Sequence, residues 1–128
     1  MKQVVCFGEV LWDLFPEGKK MGGAPLNVAL RMKSWGINTH MISSVGNDSL
    51  GKEILELVEQ KGIDTKYIQI SDNYNTGTVS VTLDQNGSAS YKINHPVSWD
   101  KIELVTAYLE LVSAADAFVF GSLIARDS

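Results

Sequence analysis

The stretch Met21-Gly22-Gly23-Ala24-Pro25-Leu26-Asn27-Val28-Ala29 is a glycine pair that runs directly into a predicted helix. Because glycine has no Cβ, the main chain at Gly22 and Gly23 can approach a bound ligand closely. Pro25 suits the first helical turn, where its missing N–H would have no partner. Asn27 falls in the same turn, and its amide can both donate to and accept from hydroxyl groups. The stretch therefore predicts either a site for a small polar ligand or a tight loop before a core helix.

The composition of the chain is that of a globular protein of one domain. Of its 128 residues, 45% are hydrophobic and 20% are charged, which is enough for a hydrophobic core. The net charge of −4 argues against a general nucleic-acid binder and favours a small-molecule partner. Neither a signal peptide nor an apolar run long enough to span a bilayer is expected. The single cysteine, Cys6, lies in an apolar run and suits a reducing environment, so we expect a cytoplasmic protein without membrane association.

Two continuous apolar runs, Val4-Val5-Cys6-Phe7 and Ala117-Phe118-Val119-Phe120, are each followed by a glycine. Such runs are typical of parallel strands that helices cover on both faces. Ligands of open α/β sheets bind beyond the carboxyl ends of these strands, where Asp13 and Ser122 follow. A carboxylate among apolar residues needs hydrogen-bond donors, and a sugar supplies them as hydroxyl groups. Asp13 is therefore predicted either to bind a sugar or to lie in a surface loop.

The chain between the two runs alternates helical and strand patterns. Apolar periodicity predicts a helix that ends at Gly36, a strand over 37–45 and a second helix that ends at Gly62. These elements complete a βαβ unit. Asp48 or Ser49 precedes the second helix, and capping explains Asp48 without a functional role.

A β-hairpin is predicted where apolar and polar residues alternate on both sides of Gln85-Asn86-Gly87. A two-residue turn would set apolar residues opposite polar ones, whereas a three-residue turn pairs Val81 with Tyr91. Since directly paired residues share a face of the sheet, we predict the three-residue turn, with Gly87 in the left-handed conformation.

The hairpin has one apolar face, so it does not fit inside a buried parallel sheet. We place it as a lid over the ligand end, formed by segments at about 11–22 and 77–95. Trp12, Phe15 and Tyr91 would then wall the ligand site. The alternative is that these aromatic residues pack the hairpin itself or a dimer contact.

Several of these motifs, in this order, resemble the ribokinase-like carbohydrate kinases, the phosphofructokinase-B family. The motifs are Gly8-Glu9-Val10-Leu11-Trp12-Asp13, the glycine stretch, Gly46-Asn47-Asp48-Ser49-Leu50-Gly51 and Phe120-Gly121-Ser122-Leu123. The form Gly-Gly-Ala-Pro-x-Asn is most similar to bacterial fructokinases, whereas ribokinases typically carry Gly-Gly-Lys-Gly-Ala-Asn. The resemblance implies a three-layer α/β/α fold with a β-hairpin lid, in which residues 1–128 are the N-terminal part of a single kinase domain.

The resemblance also implies the activity and the site. Asp13 would accept hydrogen bonds from sugar hydroxyls, Gly22 and Gly23 would bring the main chain against the sugar, and Asn27 would bind another hydroxyl. The lid residues expected at the sugar are Tyr91, Trp12 and Phe15. The implied reaction is ATP-dependent phosphorylation of a sugar hydroxymethyl group, first of all fructose to fructose 6-phosphate, with ATP and Mg²⁺ as cofactors. The alternatives are a ribokinase, a 2-keto-3-deoxygluconate kinase or a nucleoside kinase.

The family's catalytic signature, Asp-Thr-x-Gly-Ala-Gly-Asp, has no counterpart in this sequence. In the family, its last Asp is the base that deprotonates the sugar hydroxyl, and the surrounding half binds ATP. We therefore expect no catalytic or metal-binding residue within 1–128 and no kinase activity from this segment alone. A non-catalytic sugar-binding module is the alternative from a different class. The lid is also a candidate surface for a homodimer.

Overall fold

The computed structural model describes residues 2–127, which form two four-stranded sheets and three α-helices. In chain order, the strands are β1 (Gln3–Phe7), β2 (Leu11–Phe15), β3 (Gly18–Gly22), β4 (Asn38–Gly46), β5 (Ile68–Ser71), β6 (Gly77–Leu83), β7 (Ala89–Ile93) and β8 (Ala117–Phe120). The helices are α1 (Ala24–Ser34), α2 (Ser49–Gln60) and α3 (Thr106–Ser113). Short 3₁₀ turns lie at Thr65–Tyr67, Ser98–Lys101 and Leu123–Ala125.

The main sheet has the strand order β5-β4-β1-β8, and all of its neighbouring strands are parallel. Val4 and Cys6 of β1 belong to a core shared with α1 and α2, whereas Val5 packs with Tyr108 and Leu111 of α3. Helices therefore cover both faces of the sheet, which is why β1 is apolar without alternation. The predicted three-layer α/β/α class and the predicted buried first strand are confirmed.

Helices α1 and α2 begin where the sequence indicates. Pro25 lies in the first turn of α1, directly after the glycine pair. At α2, the Asp48 carboxylate accepts a hydrogen bond of 2.8 Å from the N–H of Gly51, which confirms the predicted cap. Ile54 and Val58 on the apolar side of α2 are fully buried against the main sheet.

The second sheet, here called the lid sheet, has the strand order β3-β2-β6-β7. Val81 pairs with Tyr91 across the antiparallel β6–β7 hairpin. The turn is closed by a hydrogen bond of 3.0 Å from the N–H of Asp84 to the carbonyl of Ser88, and Gly87 has φ of 80°. The predicted three-residue turn and its register are confirmed, because only this register puts the apolar residues of both strands on one face.

The lid sheet joins the two chain segments that were expected to form a lid, at about 11–22 and 77–95. Strand β2 pairs antiparallel with β3 and parallel with β6. Strand β2 follows the carboxyl end of β1 after three residues, and β3 leads directly into α1. The lid sheet is thereby attached at the carboxyl end of β1, the end at which open α/β sheets generally bind ligands.

An apolar surface remains uncovered between α3 and β8. Leu109, Phe118 and Phe120 are exposed there, the last of them to 64%. Together with Phe7 and Ile42 of the main sheet, residues of this surface line an apolar groove of about 250 Å³. Exposed apolar patches of this kind mark sites of interaction with protein, membrane or ligand. Within residues 2–127, no helix has the length and apolar character needed to cross a membrane.

Candidate functional site

The glycine pair, here called the glycine floor, lies close to the segment that follows β1 and to β2. A Cβ on Gly23, which has φ of 108°, would collide with the carbonyl oxygen of Glu9. A Cβ on Gly22 would lie 2.5 Å from Oδ2 of Asp13. Glycine at position 23 therefore allows the chain to pass this close to the segment that follows β1, and a larger residue at position 22 would push the Asp13 carboxylate aside.

Asp13 is a half-buried carboxylate in the middle of β2. Its strand neighbours on the same face are Lys20 of β3 and Val79 of β6. Burial raises the pKa of Asp13, and the positive charge of Lys20 opposes that shift. A carboxylate that has lost water on one side gains most from strong hydrogen-bond donors on the other side.

Asn27 lies in the first turn of α1 with its side chain exposed, and its main-chain N–H donates to the carbonyl of Gly23 at 2.9 Å. No side chain caps this end of α1 among the described residues. Gly22 touches Asp13, and Gly23 is joined to Asn27 only by the first main-chain hydrogen bond of α1. That these four residues form one sugar site stays a prediction.

The face of the lid sheet that carries Asp13 also carries Phe15 and Tyr91. Alternation along β2 puts Asp13 and Phe15 on one side, and the pairing through β6 puts Tyr91 of β7 on that same side. Both aromatic rings are exposed, Tyr91 to 68%. That these two rings cover a ligand stays a prediction.

Trp12 lies elsewhere, and its expected place on the wall of the site is corrected. Its side chain is only 4% exposed and belongs to the core shared with α1 and α2. The indole Nε1 donates a hydrogen bond of 2.9 Å to the carbonyl of Leu50 in α2. Consecutive strand residues point to opposite faces, so a β2 that turns Asp13 toward the glycine pair must turn Trp12 away from it. Trp12 instead fastens the lid sheet to α2.

Glu9 is a buried polar residue that the sequence analysis does not place in the site. Its side chain is 3% exposed, and Oε1 has no hydrogen-bond partner within the described part of the chain. Its Cγ lies 3.3 Å from the position of a Cβ on Gly23, so the carboxylate sits beside the glycine floor. The signal that could have found it is its place directly after a strand that ends at a ligand site.

Asp48 does more than cap α2. Its Oδ1 accepts a hydrogen bond of 2.6 Å from the Thr76 hydroxyl, and its Oδ2 accepts one of 3.0 Å from the Thr76 N–H. The Thr76 hydroxyl in turn accepts from the N–H of Gly46 at 2.8 Å. Burial raises the pKa of Asp48, but the hydrogen bonds from Thr76 and Gly51 lower it by more, so that the net pKa lies below its ordinary value. Because Thr76 precedes β6, Asp48 fixes the point where the chain enters the lid sheet.

The family model described as pfkB family carbohydrate kinase matches residues 1–128. The chain belongs to the pfkB family of carbohydrate kinases, as its motifs predict.

Relatives of the chain include archaeal and bacterial proteins that are named as sugar kinases. The sugar kinase PH1459 of Pyrococcus horikoshii is 32% identical over 132 residues, which cover 94% of this chain and 42% of that protein. An ATP-dependent 6-phosphofructokinase of Thermoanaerobacterium thermosaccharolyticum is 45% identical over 90 residues, or 62% of this chain and 28% of that protein. A fructokinase of Salmonella typhimurium is 32% identical over 94 residues, which cover 70% of this chain and 31% of that protein. The chain thus spans less than half the length of these relatives.

Solved structures match the fold over nearly the whole chain. The crystal structure of PH1459 superposes with a TM-score of 0.85 at 29% identity, covering 96% of this chain and 44% of that one. Its complex with ATP superposes with a TM-score of 0.81 at 30% identity, covering 94% of this chain and 43% of that one. The fold of the described residues is therefore one that this chain shares with a protein named as a sugar kinase.

Proposed function

We propose that residues 1–128 form the sugar-binding and lid part of a single kinase domain that transfers a phosphoryl group from ATP to fructose, yielding fructose 6-phosphate. The observation that carries the proposal is the contact of Asp13 with Gly22, beside Asn27 at the start of α1. A carboxylate, an amide and bare main chain together suit a neutral polyol. The form Gly-Gly-Ala-Pro-x-Asn and the relatives named fructokinase support fructose as that polyol.

These residues act by positioning the sugar. Asp13 accepts hydrogen bonds from neighbouring hydroxyls, Asn27 binds a further hydroxyl, and the glycine pair lets the ring lie against the main chain. Phe15 and Tyr91 on the lid face cover the sugar and reduce access of water, which would compete for the phosphoryl group. Phosphoryl transfer depends chiefly on such positioning and on charge stabilisation around the transferred group.

ATP and Mg²⁺ are the proposed cofactors, and the described residues do not fit them. Within residues 2–127, one group of metal-binding side chains is close together: His95, Asp100 and Asp127. Asp100 is held there by two hydrogen bonds from Arg126, and Asp127 contacts His95 at 2.8 Å. No catalytic step is assigned to these residues, and we propose that the donor site belongs to a further part of the kinase domain.

The uncovered apolar surface between α3 and β8 supports a larger domain. Leu109, Phe118 and Phe120 would each gain by burial, at about 25 cal/mol for every Å² of apolar surface removed from water. The relatives are more than twice as long as this chain, so such a domain has additional residues to cover the surface. We propose that the rest of the kinase domain packs on this edge.

A cytoplasmic location and a homodimer that forms through the lid belong to the same proposal. The exposed apolar residues of the β6–β7 hairpin, Leu83, Tyr91 and Ile93, support the dimer. Sedimentation of the intact protein tests it: Leu83→Ser should lower the apparent mass toward the monomer, and a wild-type monomer would refute the dimer.

Fructose 6-phosphate is the second candidate substrate, and two observations favour it. The relative with 45% identity is an ATP-dependent 6-phosphofructokinase. Lys20 pairs directly with Asp13 in the lid sheet and is exposed, so its ammonium group could attract a phosphorylated sugar. Lys20→Met would then lower turnover of fructose 6-phosphate and leave turnover of fructose nearly unchanged.

A substrate panel on the intact protein decides between these functions. ATP consumption is measured with fructose, fructose 6-phosphate, ribose, 2-keto-3-deoxygluconate and a nucleoside. We expect the highest kcat/KM with fructose and no turnover by residues 1–128 alone. A higher kcat/KM with fructose 6-phosphate would establish the second candidate. Turnover by the 128-residue segment alone would refute a donor site in a further part of the domain.

A further inference from the structure

Arg126 connects the segment after β8 to the root of the lid sheet. Its Nε donates to Oδ1 of Asp100 at 2.6 Å, and its Nη2 donates to Oδ2 of Asp100 at 2.6 Å and to the carbonyl of Asn94 at 2.9 Å. Asn94 is the residue that directly follows β7. The planar guanidinium thus holds a carboxylate with two parallel hydrogen bonds and one end of the lid hairpin with a third.

The same guanidinium lies over the ring of Trp99, with 4.1 Å between its central carbon and the ring centroid. Trp99 is fully buried, and its Cδ1 and Nε1 lie 2.6 Å from the position of a Cβ on Gly77. Gly77 is the first residue of β6, the other strand of the hairpin. Arg126 therefore contacts the end of β7 directly and the start of β6 through Trp99.

The start of β6 determines where the carboxylate of the sugar site lies. Gly77 pairs with Leu11 at the beginning of β2, and two residues further along the same ladder Val79 pairs with Asp13. A displacement of β6 at its root would shift β2 with it, because paired strands move together. Arg126 is thus connected to Asp13 through the indole ring of Trp99 and the pairing of β6 with β2.

Charge and burial make this connection firm. The side chain of Asp100 is 1% exposed, and that of Arg126 is 19% exposed. Burial raises the pKa of Asp100, but the hydrogen bonds from Arg126 and from the N–H of Val97 lower it by more, so that the net pKa lies below its ordinary value. Both members are therefore charged at neutral pH, and removal of one would leave a buried charge unpaired. Lysine could not replace the forked contact, since its ammonium is a single point charge.

We propose that Arg126 is a positioning residue for the sugar site, which sets the orientation of the lid sheet and, through β6 and β2, the place of Asp13. The part that concerns the sugar rests on the function proposed above, whereas the effect on the lid does not. Loss of Arg126 should loosen the lid sheet while the main sheet keeps its stability. A purely structural ion pair would instead lower the stability of both sheets alike.

Hydrogen–deuterium exchange of the intact protein tests this inference without any ligand. The double variant Arg126→Met/Asp100→Asn removes both charges, so that no unpaired carboxylate is left buried to unfold the chain. Exchange in segments 78–83 and 89–93 should rise about tenfold or more, while exchange in β4 stays within about twofold of the wild type. Arg31→Met, at an exposed position of α1, is the matched control and should change neither. Arg126→Lys should keep only part of the wild-type protection of these lid segments against exchange.

Unchanged lid exchange in the double variant would overturn the proposal, and so would an equal rise in the lid and in β4. Fructose binding separates this proposal from the proposed function. If the wild-type protein binds fructose, the double variant should raise the KM at least about fivefold with less change in kcat. If the wild-type protein binds no sugar but the lid still loosens, the proposed function fails and the role of Arg126 in the lid stands.

Discussion

Oδ2 of Asp13 lies 2.5 Å from the position that a Cβ would take on Gly22, so the carboxylate on β2 rests directly on the bare main chain of β3. The two residues come from neighbouring strands of the lid sheet and approach each other at its attachment to α1. This contact fixes the carboxylate over the glycine floor. The size of residue 22 and the charge of residue 13 should therefore be linked in their effect on sugar binding.

Gly22→Ala should weaken sugar binding without much loss of stability. The new methyl group would push the Asp13 carboxylate aside, and because only the far end of a flexible side chain moves, the free energy of unfolding should change by less than about 1 kcal/mol. We expect the KM for fructose to rise about tenfold, the equivalent of one lost hydrogen bond. Ser90→Ala, on the opposite face of the lid sheet, is the control. An unchanged KM for Gly22→Ala would mean that Asp13 does not contact the sugar.

Asp13→Asn should stabilise the fold at neutral pH while it impairs the site. Burial raises the pKa of Asp13, so the folded state holds the proton more tightly than the unfolded state. Stability contributed by this group therefore falls as pH rises from the ordinary pKa of 3.8 through the raised value. Asparagine carries no charge, so the variant should unfold at a higher temperature than the wild type at pH 7, and the difference should shrink near pH 3. A lower Tm for the variant at pH 7 would contradict a raised pKa.

Trp12→Phe should lower stability and leave sugar binding alone. The variant loses the hydrogen bond from Nε1 to the carbonyl of Leu50, which is worth about 1 kcal/mol. Chemical denaturation measures this loss as a lower midpoint with an unchanged slope. The KM for fructose should stay within about twofold, because Trp12 faces α2 and not the glycine pair. A larger change in KM would show that Trp12 reaches the site after all.

Asp48→Ala should destabilise the protein more than the loss of a helix cap would. The cap alone is worth about 1 kcal/mol, and the two hydrogen bonds from Thr76 bring the expected loss to about 2–3 kcal/mol. The net lowering of the Asp48 pKa means that its contribution is complete above 3.8 and is lost as pH falls through the lowered value. Ser49→Ala, at the exposed neighbouring position, serves as control. A loss equal to that of a cap alone would show that Thr76 is held by other contacts.

The fold could be predicted closely where the pattern of apolar residues is compatible with only one arrangement of the strands. The hairpin register follows from the requirement that Val81 and Tyr91 share a face, and the buried β1 follows from an apolar run without alternation. The polar residues of the candidate site rest on local signals, a glycine pair and a carboxylate after a strand, and their role in binding stays a prediction. The place of Trp12 and the contacts of Arg126 depend on which elements pack on each side of the lid, and no local pattern encodes that packing.

Calorimetric titration of fructose into the intact protein, compared with its Asp13→Asn variant, tests the central claim most directly. The account predicts that the wild type binds fructose and that the variant binds it at least about 30-fold more weakly, because a neutral amide replaces a carboxylate that accepts two hydrogen bonds. Equal affinity of the two proteins for fructose would contradict the account.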